Sequence, residues 1–366
     1  MLHSRCRIVL LCLFIALASA AGCDKSSSLD SFQERQGKGI SLTRNLAGQI
    51  NAIRFESTPL TDADLTLLGS ATTLRELAGN AAQVTSTGLI ALQGCSSLQS
   101  LQLNSCRLSE QAAQSIGSLK TLTTLNLTDA QELTPACLAC LSELQKLVEL
   151  GLSGTAIDDA CIPHLPAAPV RSLALSRTRL TSAGILSLVD RFPDLEVIQL
   201  DEVALDAAAT AALSRLERLT DVSLSSCRLD DAAAAPLGTL KQLRVLNLSH
   251  NTALTDSLIG SLGNAAELRT LNVSGTQFSG VAFAEAGFPS LAALIADDTQ
   301  VKGESLRSLK LPTLFSLSLN GCPLSLAEIR RVFAENDQTA ISFEESAPAI
   351  EPGNKDRSDR KVKGQI

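Results

Sequence analysis

The sequence predicts an α/β solenoid in which short parallel strands stack on one face and short helices stack on the other. A unit of about 24 residues recurs along most of the chain, and recurrence at a fixed step is the signature of a repeat architecture. Within each unit, aliphatic and polar residues alternate as in a strand, and a helix start signal follows. Hydrophobic residues make up 45% of the 366 residues, with no Trp and no Tyr, so the predicted core is aliphatic.

Three segments display the repeat most clearly. They are LQSLQLNSCRL from Leu98, LTDVSLSSCRL from Leu219 and LFSLSLNGCPL from Leu314. Each fits the pattern L-x-x-φ-x-L-x-x-C-x-L, where φ is an aliphatic residue. Nine further copies begin at Ile50, Leu74, Leu122, Leu147, Val170, Leu195, Leu243, Leu268 and Leu291. Twelve repeats are therefore predicted, and we expect a partial thirteenth strand, TAISF, to close the stack.

The two halves of a repeat predict different elements. In LQSLQL, Leu101 and Leu103 are expected to face the core while the residues beside them point outward. In LTDADLTLL, the Thr-Asp start is a helix N-terminal signal, and Leu65 and Leu68 turn the helix onto the sheet. Stacked copies pair their backbone groups as a parallel sheet. Because helices are wider than strands, the stack is expected to curve with the strands on its concave side.

These repeats resemble the leucine-rich repeat family, and the resemblance covers about Leu46 to Phe343. Helix-containing halves such as LTDADLTLLGS, from Leu60, are similar to the cysteine-containing and bacterial types of that family. The resemblance implies a right-handed, horseshoe-shaped leucine-rich-repeat solenoid with a parallel concave sheet and short convex helices. It also implies that the concave face is the usual binding surface.

The N-terminus predicts a secretory signal peptide over residues 1–22, because two arginines precede an apolar run that small residues follow. The ASA sequence at 18–20 fits ordinary cleavage, which would give a soluble secreted or periplasmic protein. The AAGC segment ending at Cys23 resembles a bacterial lipobox, whose cysteine is lipidated. We favour the second reading, a lipoprotein anchored to a membrane of the bacterial cell envelope.

Composition sets the predicted domain limits. Residues 23–45 are polar and are expected to form a lipidated tether and an N-terminal cap. Residues 46–350 are expected to form the leucine-rich-repeat domain of about twelve repeats, and residues 351–366 a disordered charged tail. The formal net charge of −7 argues against a nucleic-acid partner, which would need a basic surface.

Two short motifs approach the spacing of a zinc site. Cys137 and Cys140 lie in CLAC, and Cys161 and His164 lie in CIPH. The two pairs occupy the same positions in adjacent repeats, so translation gives them the same direction rather than a common centre. The sequence therefore favours plain packing over a metal site. A disulfide between Cys137 and Cys161 is the alternative that an envelope location would permit.

Turn filling and helix capping explain three further cysteines and the acidic pairs. Three cysteines, at 106, 227 and 322, occupy a recurrent turn position where other repeats place Asn251, Thr155 or Ala82, and a small group that fills the turn is expected there. Acidic pairs recur at strand ends and helix starts, as DD at 158–159 and 230–231. Helix capping is favoured over a calcium site, which needs six to eight oxygen ligands.

The outward strand positions form the candidate binding surface. They are small, polar and almost uncharged, and the residues we select are Gln102, Asn126, Gln199, Asn247 and Asn272. Binding there would use shape and amide hydrogen bonds. The alternative is a face that is simply solvated.

The motifs of common enzymes are missing from the sequence. It has no Gly-rich phosphate loop, no G-x-S-x-G and no H-E-x-x-H, so we expect no catalytic residue and no cofactor. We predict a non-catalytic interaction scaffold in the cell envelope that binds a protein or a glycan through its concave face. The alternative is a structural or self-associating envelope protein that packs through its convex helices, some of which are alanine-rich.

Overall fold

The computed structural model describes residues 32–69, 71–284, 287–309, 311–333, 339–344 and 363–365. The chain forms two compact units. The first extends to Gly151 and includes His164–Ala168, and the second contains Leu152–Pro163 and the residues from Pro169 onward. Each unit is built from the strand–turn–helix repeats that the sequence predicts.

The first unit contains six strands and four α-helices among its described residues. The strands are β1 (Ile40–Arg44), β2 (Ile50–Phe55), β3 (Glu76–Asn80), β4 (Ser100–Asn104), β5 (Thr124–Asn126) and β6 (Glu149–Gly151). The helices are α1 (Asp62–Leu68), α2 (Ser86–Ala91), α3 (Glu110–Gly117) and α4 (Pro135–Cys140), and a 3₁₀ turn lies at Leu92–Gly94. β1 pairs with β2 in antiparallel fashion, and β2 to β6 pair in parallel in chain order.

The second unit contains nine strands and five α-helices among its described residues. The strands are β7 (Ser172–Ala174), β8 (Val197–Gln199), β9 (Asp221–Ser223), β10 (Val245–Asn247), β11 (Thr270–Asn272), β12 (Ala293–Ile295), β13 (Ser316–Ser318), β14 (Ala340–Glu344) and β15 (Lys363–Gln365). The helices are α5 (Ser182–Arg191), α6 (Ala207–Leu213), α7 (Asp231–Ala234), α8 (Ser257–Leu262) and α9 (Leu326–Phe333). β7 to β14 pair in parallel in chain order.

Short 3₁₀ helices replace or extend α-helices in several repeats. They lie at Asp159–His164, Ala235–Thr239 and Val281–Ala284. Pro163 interrupts the first of these, and a proline inside a helix removes a backbone donor. Every one of the twelve predicted repeat segments contains a strand, β2 to β13, and β14 is the thirteenth.

The strand registers align the aliphatic residues of neighbouring repeats. In the first unit the aligned residues are Leu77, Leu101, Leu125 and Leu150. In the second they are Leu173, Ile198, Val222, Leu246, Leu271, Leu294, Leu317 and Ile341. All twelve are buried. The predicted stacking of aliphatic side chains is therefore confirmed within each unit.

The helices begin where the sequence predicts. Thr61 caps α1, its hydroxyl accepts from the N–H of Asp64, and the Asp64 carboxylate accepts from the N–H of Thr61 at 3.0 Å. Leu65 and Leu68 of the same helix are fully buried. Such reciprocal capping satisfies backbone donors that have no partner within the helix, so even a helix of two turns is defined at its start.

A residue in the left-handed conformation turns the chain after most strands. In the second unit these residues are Gly154, Arg177, Glu202, Ser226, His250, Gly275, Asp298 and Gly321. The N–H of each of the first seven donates to a carbonyl oxygen of the following repeat, as from His250 to Ser274 at 2.7 Å. The turns therefore continue the hydrogen bonding between repeats beyond the ends of the strands.

The N-terminal end of the first unit is covered by aromatic and charged side chains. Phe32 is buried and meets Phe55 edge-to-face, with ring centroids 6.1 Å apart. The Arg35 guanidinium lies 5.5 Å and 5.7 Å from the centroids of these two rings and pairs with Asp64 at 2.5 Å. Together with the antiparallel β1, these contacts shield the first parallel strand from water.

The C-terminal end of the second unit differs from the expectation. Residues 351–366 were expected to be disordered, whereas Lys363–Gln365 form β15, which pairs in antiparallel fashion with β14. An edge strand leaves a row of backbone groups unpaired, and β15 satisfies those of β14. The expectation is corrected for these three residues, and the rest of 351–366 lies outside the described residues.

We predict that Gly275→Ala destabilises the protein. The φ of Gly275 is +67°, and a Cβ atom there would lie 2.6 Å from Nδ1 of His250. The left-handed backbone alone costs an L-residue about 1–2 kcal/mol. The midpoint of urea unfolding, followed by circular dichroism on the full chain, should therefore fall.

Gly260→Ala is the matched control. Gly260 lies in α8, where a Cβ atom would meet nothing within 4 Å. Alanine is the better helix former, by about 1 kcal/mol, so the unfolding midpoint should stay level or rise. Equal midpoints for the two variants would show that the turn does not need glycine.

Candidate functional site

The exposed face of the first unit brings two of the predicted binding residues together. Gln102 and Asn126 are register partners on β4 and β5, and both side chains are half-buried. The amide oxygen of Asn126 accepts from the N–H of Thr128 at 2.8 Å and from its hydroxyl at 2.7 Å. The Asn126 side chain is thus held in place by the turn after its own strand.

The exposed face of the second unit contains the other three. Gln199, Asn247 and Asn272 lie on β8, β10 and β11, with Ser223 of β9 in register between the first two. Gln199 is exposed, and the two asparagines are half-buried. The structure therefore places each predicted residue on the outward row of its strand.

Both asparagines of the second unit also fix local structure. The amide oxygen of Asn247 accepts from the N–H of Ser249 at 3.1 Å, and its amide nitrogen donates to the Ser223 hydroxyl at 3.0 Å. The amide oxygen of Asn272 accepts from the N–H of Ser274 at 3.0 Å. These bonds are local turn interactions of the kind that asparagine commonly forms. The amides are consequently oriented before any partner binds.

A network of hydroxyl and carboxylate groups lies at the carboxyl ends of the same strands. Asp201 accepts from the hydroxyls of Ser176 at 3.3 Å and Ser223 at 2.6 Å, and from the N–H of Ser225 at 2.8 Å. Asp297 similarly accepts from the Ser318 hydroxyl at 2.7 Å. Each carboxylate bridges neighbouring repeats, so this edge of the sheet is polar and rigid.

One row of residues was not among the predicted binding residues. It consists of the residue that follows the first Leu or Val of each repeat pattern, and we call it the entry row because it precedes each strand. In the last repeats of the second unit the entry row contains Arg244, Arg269, Ala292 and Phe315. Phe315 is 58% exposed. These residues occupy the first x of the L-x-x-φ pattern, whereas the candidate binding residues were selected from the outward position after φ.

The structure places the four candidate metal ligands in different environments. Cys137 and Cys161 are buried, Cys140 is half-buried and His164 is exposed. These three cysteines are free thiols, and no group of three or more potential ligands occurs within the described residues. The thiol of Cys137 donates to the carbonyl oxygen of Leu108 at 3.3 Å, which is a packing role.

Burial affects the protonation of two of these thiols. Burial raises the pKa of Cys140, and the Glu110 carboxylate raises it further. Burial likewise raises the pKa of Cys161. A raised pKa lowers the fraction of reactive thiolate in the metal-free protein. The same shifts disfavour a redox thiol.

The cysteines of the recurrent turn position hold neighbouring repeats together. Cys227 donates from Sγ to the Leu200 carbonyl at 3.1 Å, as Asn251 donates from Nδ2 to the Leu224 carbonyl at 2.8 Å. Burial raises the pKa of Cys227 to about 12, so this thiol is poorly reactive. The structural role that the sequence predicts fits these contacts.

One repeat departs from this pattern. Ala82 was expected to fill the turn after β3, but it is exposed, and Ala81 is buried instead. The backbone does not enter the left-handed conformation there. The N–H of Ala81 donates to the Asn104 carbonyl at 2.8 Å, which turns the alanine methyl group inward one residue earlier.

The recurring acidic residues connect the helix starts of adjacent repeats. Asp62 accepts from the N–H of Thr85 at 2.8 Å and from its hydroxyl at 2.5 Å, and Asp159 binds Thr181 at the same two distances. Asp231 binds the N–H of Thr255 at 2.9 Å. These carboxylates already accept several hydrogen bonds, which supports capping rather than calcium binding.

The predicted signal peptide and membrane anchor belong to a part of the chain that the structure does not describe. The predicted signal peptide at 1–22 and the predicted lipidation residue Cys23 both lie outside the described residues. Within the described ranges, no helix has the length and apolar composition needed to cross a bilayer.

Comparison with known proteins identifies the fold. No protein-family model and no curated protein matches the chain. A solved internalin (inlF) from Listeria monocytogenes is similar with a TM-score of 0.56 and 15% identity, over 88% of this chain and 94% of that one. A structure of the Rad7 and Elc1 complex in yeast is similar with a TM-score of 0.60 and 15% identity, over 93% and 98%. The fold is a leucine-rich-repeat solenoid.

Proposed function

We propose that this protein is a non-catalytic interaction scaffold, held at the bacterial cell envelope by a lipid on Cys23, that binds a protein partner through the exposed face of its sheet. The observation that carries the proposal is the outward row of amide side chains, in which Asn247 and Asn272 on neighbouring strands are oriented by turn hydrogen bonds. In the second unit this row contains Gln199, Asn247 and Asn272. One of the similar solved structures is itself a protein complex.

The fixed geometry of the row supports a binding role. Side chains that are ordered before association lose less conformational freedom when a partner arrives. Asn247 and Asn272 are held by their turn hydrogen bonds, while Gln199 remains exposed. Parallel strands repeat such groups every 4.8 Å or so, so a partner that lies along the row meets polar groups at regular intervals.

The predicted domain limits give this scaffold its position in the envelope. We propose that residues 1–22 are removed, that 23–45 tether and cap the array, and that 46–350 form the binding domain. A lipid anchor on Cys23 would hold the sheet within reach of membrane-associated or envelope proteins. A glycan partner is the alternative that the sequence leaves open.

The binding face can be tested by photocrosslinking in the native cells. p-Benzoylphenylalanine would replace Gln102, Gln199 or, as the control on a helix, Leu186, which is 42% exposed in α5. We expect protein adducts from position 102 or 199 and none from position 186. The measurement is the adduct yield on immunoblots, followed by mass spectrometry.

Two results would overturn the proposed binding face. Adducts from position 186 alone, especially with a second copy of this chain, would favour the self-associating alternative that packs through its helices. Absence of protein adducts at all three positions would remove the protein-binding proposal.

The lipid anchor has its own test. We predict that Cys23→Ser moves the protein from the membrane fraction to the soluble envelope fraction and abolishes incorporation of a radiolabelled fatty acid. Cys140→Ser is the matched control, because Cys140 is a half-buried thiol outside the signal region. If Cys23→Ser leaves both the membrane fractionation and the fatty-acid labelling unchanged, lipidation of Cys23 is contradicted.

A further inference from the structure

Four entry-row residues of the second unit lie side by side on consecutive repeats. The N–H of Arg269 donates to the Arg244 carbonyl at 2.8 Å, that of Ala292 to the Arg269 carbonyl at 2.8 Å, and that of Phe315 to the Ala292 carbonyl at 3.0 Å. These backbone bonds set their spacing to that of adjacent strands, about 4.8 Å. Two basic residues are therefore followed, in order, by a small and an aromatic apolar residue.

The apolar half of this arrangement is open to water. Phe315 is 58% exposed. Ala292, Ala293 and Ile295 of the neighbouring repeat are half-buried, and Ala293 and Ile295 are the register partners of Ser316 and Ser318. A phenylalanine side chain offers a large apolar area for burial, and an exposed apolar cluster rimmed by polar residues is typical of a protein interaction site.

The basic half is not neutralised by the fold. Arg244 and Arg269 are exposed, and neither forms an ion pair with a carboxylate of the described residues. By contrast, Arg171 at the start of the same entry row pairs with Glu196 at 3.0 Å. The carboxylate of β9, Asp221, accepts from the Thr220 hydroxyl at 2.6 Å. In a chain with a net charge of −7, two adjacent unpaired guanidinium groups form a local positive site.

We propose that this patch binds an extended segment of a partner protein that has an apolar side chain near a pair of carboxylates. The patch consists of the entry-row residues Arg244, Arg269, Ala292 and Phe315 together with Ala293 and Ile295 of β12. The inference rests on the proposed function and specifies the chemistry of its partner. The apolar side chain covers Phe315 and Ile295. The carboxylates accept charge-assisted, bidentate hydrogen bonds from the two arginines.

The strand spacing determines how far apart the apolar residue and the acidic residues of the bound segment must lie. Phe315 and Arg269 are two strands apart, which is about 10 Å. An extended chain covers this distance in about three residues. The patch therefore selects an apolar residue with one acidic residue about three positions away and a second one or two positions further, opposite Arg244. Arginine and aromatic residues are the types that dominate the energy of protein interfaces.

The test uses the full chain in its native cells. p-Benzoylphenylalanine replaces Phe315, which keeps an aromatic ring at this position, and crosslinking is compared with the same substitution at Gln199. Each crosslinker variant is made in three backgrounds. These are the otherwise unchanged chain, the double variant with Arg244→Glu and Arg269→Glu, and the single variant Arg171→Glu. Arg171 is the matched control because it belongs to the entry row and is already ion-paired. Circular dichroism confirms that each variant is folded.

We expect an adduct from position 315 whose yield falls at least about tenfold in the double charge reversal and is unchanged in Arg171→Glu. Mass spectrometry should locate the crosslink in a segment with carboxylates three to five residues from an apolar side chain. Two outcomes would overturn the inference and leave the proposed function standing. One is protein capture from position 199 without capture from position 315. The other is capture from position 315 whose yield does not fall when both arginines are replaced by glutamate.

Two further outcomes also count against the inference. A crosslink from position 315 to residues 345–362 of the same chain would assign the patch to the protein's own sequence rather than to a partner. Failure to capture protein from position 315 would remove the inference, and the proposed function would then stand or fall with the adducts from positions 102 and 199.

Discussion

The structure depends on hydrogen bonds that one repeat cannot form alone. A strand of three residues has no stability by itself, and each strand here obtains its partners from the repeats before and after it. The N–H of Leu248, for example, donates to the Asn272 carbonyl at 2.8 Å, and the N–H of Arg244 donates to the Thr220 carbonyl at 2.7 Å. Left-handed turns and capping carboxylates extend the same bonding to the loops. Such stability is a sum over nearest neighbours.

This constraint divides the side chains of a repeat into two groups. Those that the stacking requires are aliphatic in the core, or are turn residues such as Asn251 and Cys227 whose polar groups satisfy buried carbonyls. Those that the stacking leaves free lie on the outward row and on the entry row. The second group can vary from repeat to repeat without loss of the fold, and the proposed binding residues belong to it.

Sequence reasoning succeeded where the stacking imposes a period. The positions of Leu101 and Val222 are fixed by burial in the core, and twelve repeat segments could therefore be aligned to twelve strands. The same period argued against a shared metal centre for CLAC and CIPH, because they are copies of one segment in adjacent repeats. Where no period operates, sequence reasoning failed. Phe315 was overlooked because its position has no required residue type.

Two local departures have similar explanations. Ala81 and Ala82 are identical side chains, so composition could not reveal which methyl group turns inward after β3. The strand at Lys363–Gln365 lies in a charged segment without strand character, and its pairing depends on the free edge of β14 rather than on its own residues. Both are consequences of backbone hydrogen bonds, which the side-chain pattern does not record.

The central claim is that backbone hydrogen bonds between repeats hold the array together. Native-state hydrogen exchange by NMR or mass spectrometry measures this directly at the amides of Leu248, His250 and Arg269, each of which donates to a neighbouring repeat. The account predicts exchange slowed by roughly a thousandfold or more relative to the unfolded chain. Exchange of these amides within about tenfold of the unfolded rate would contradict it.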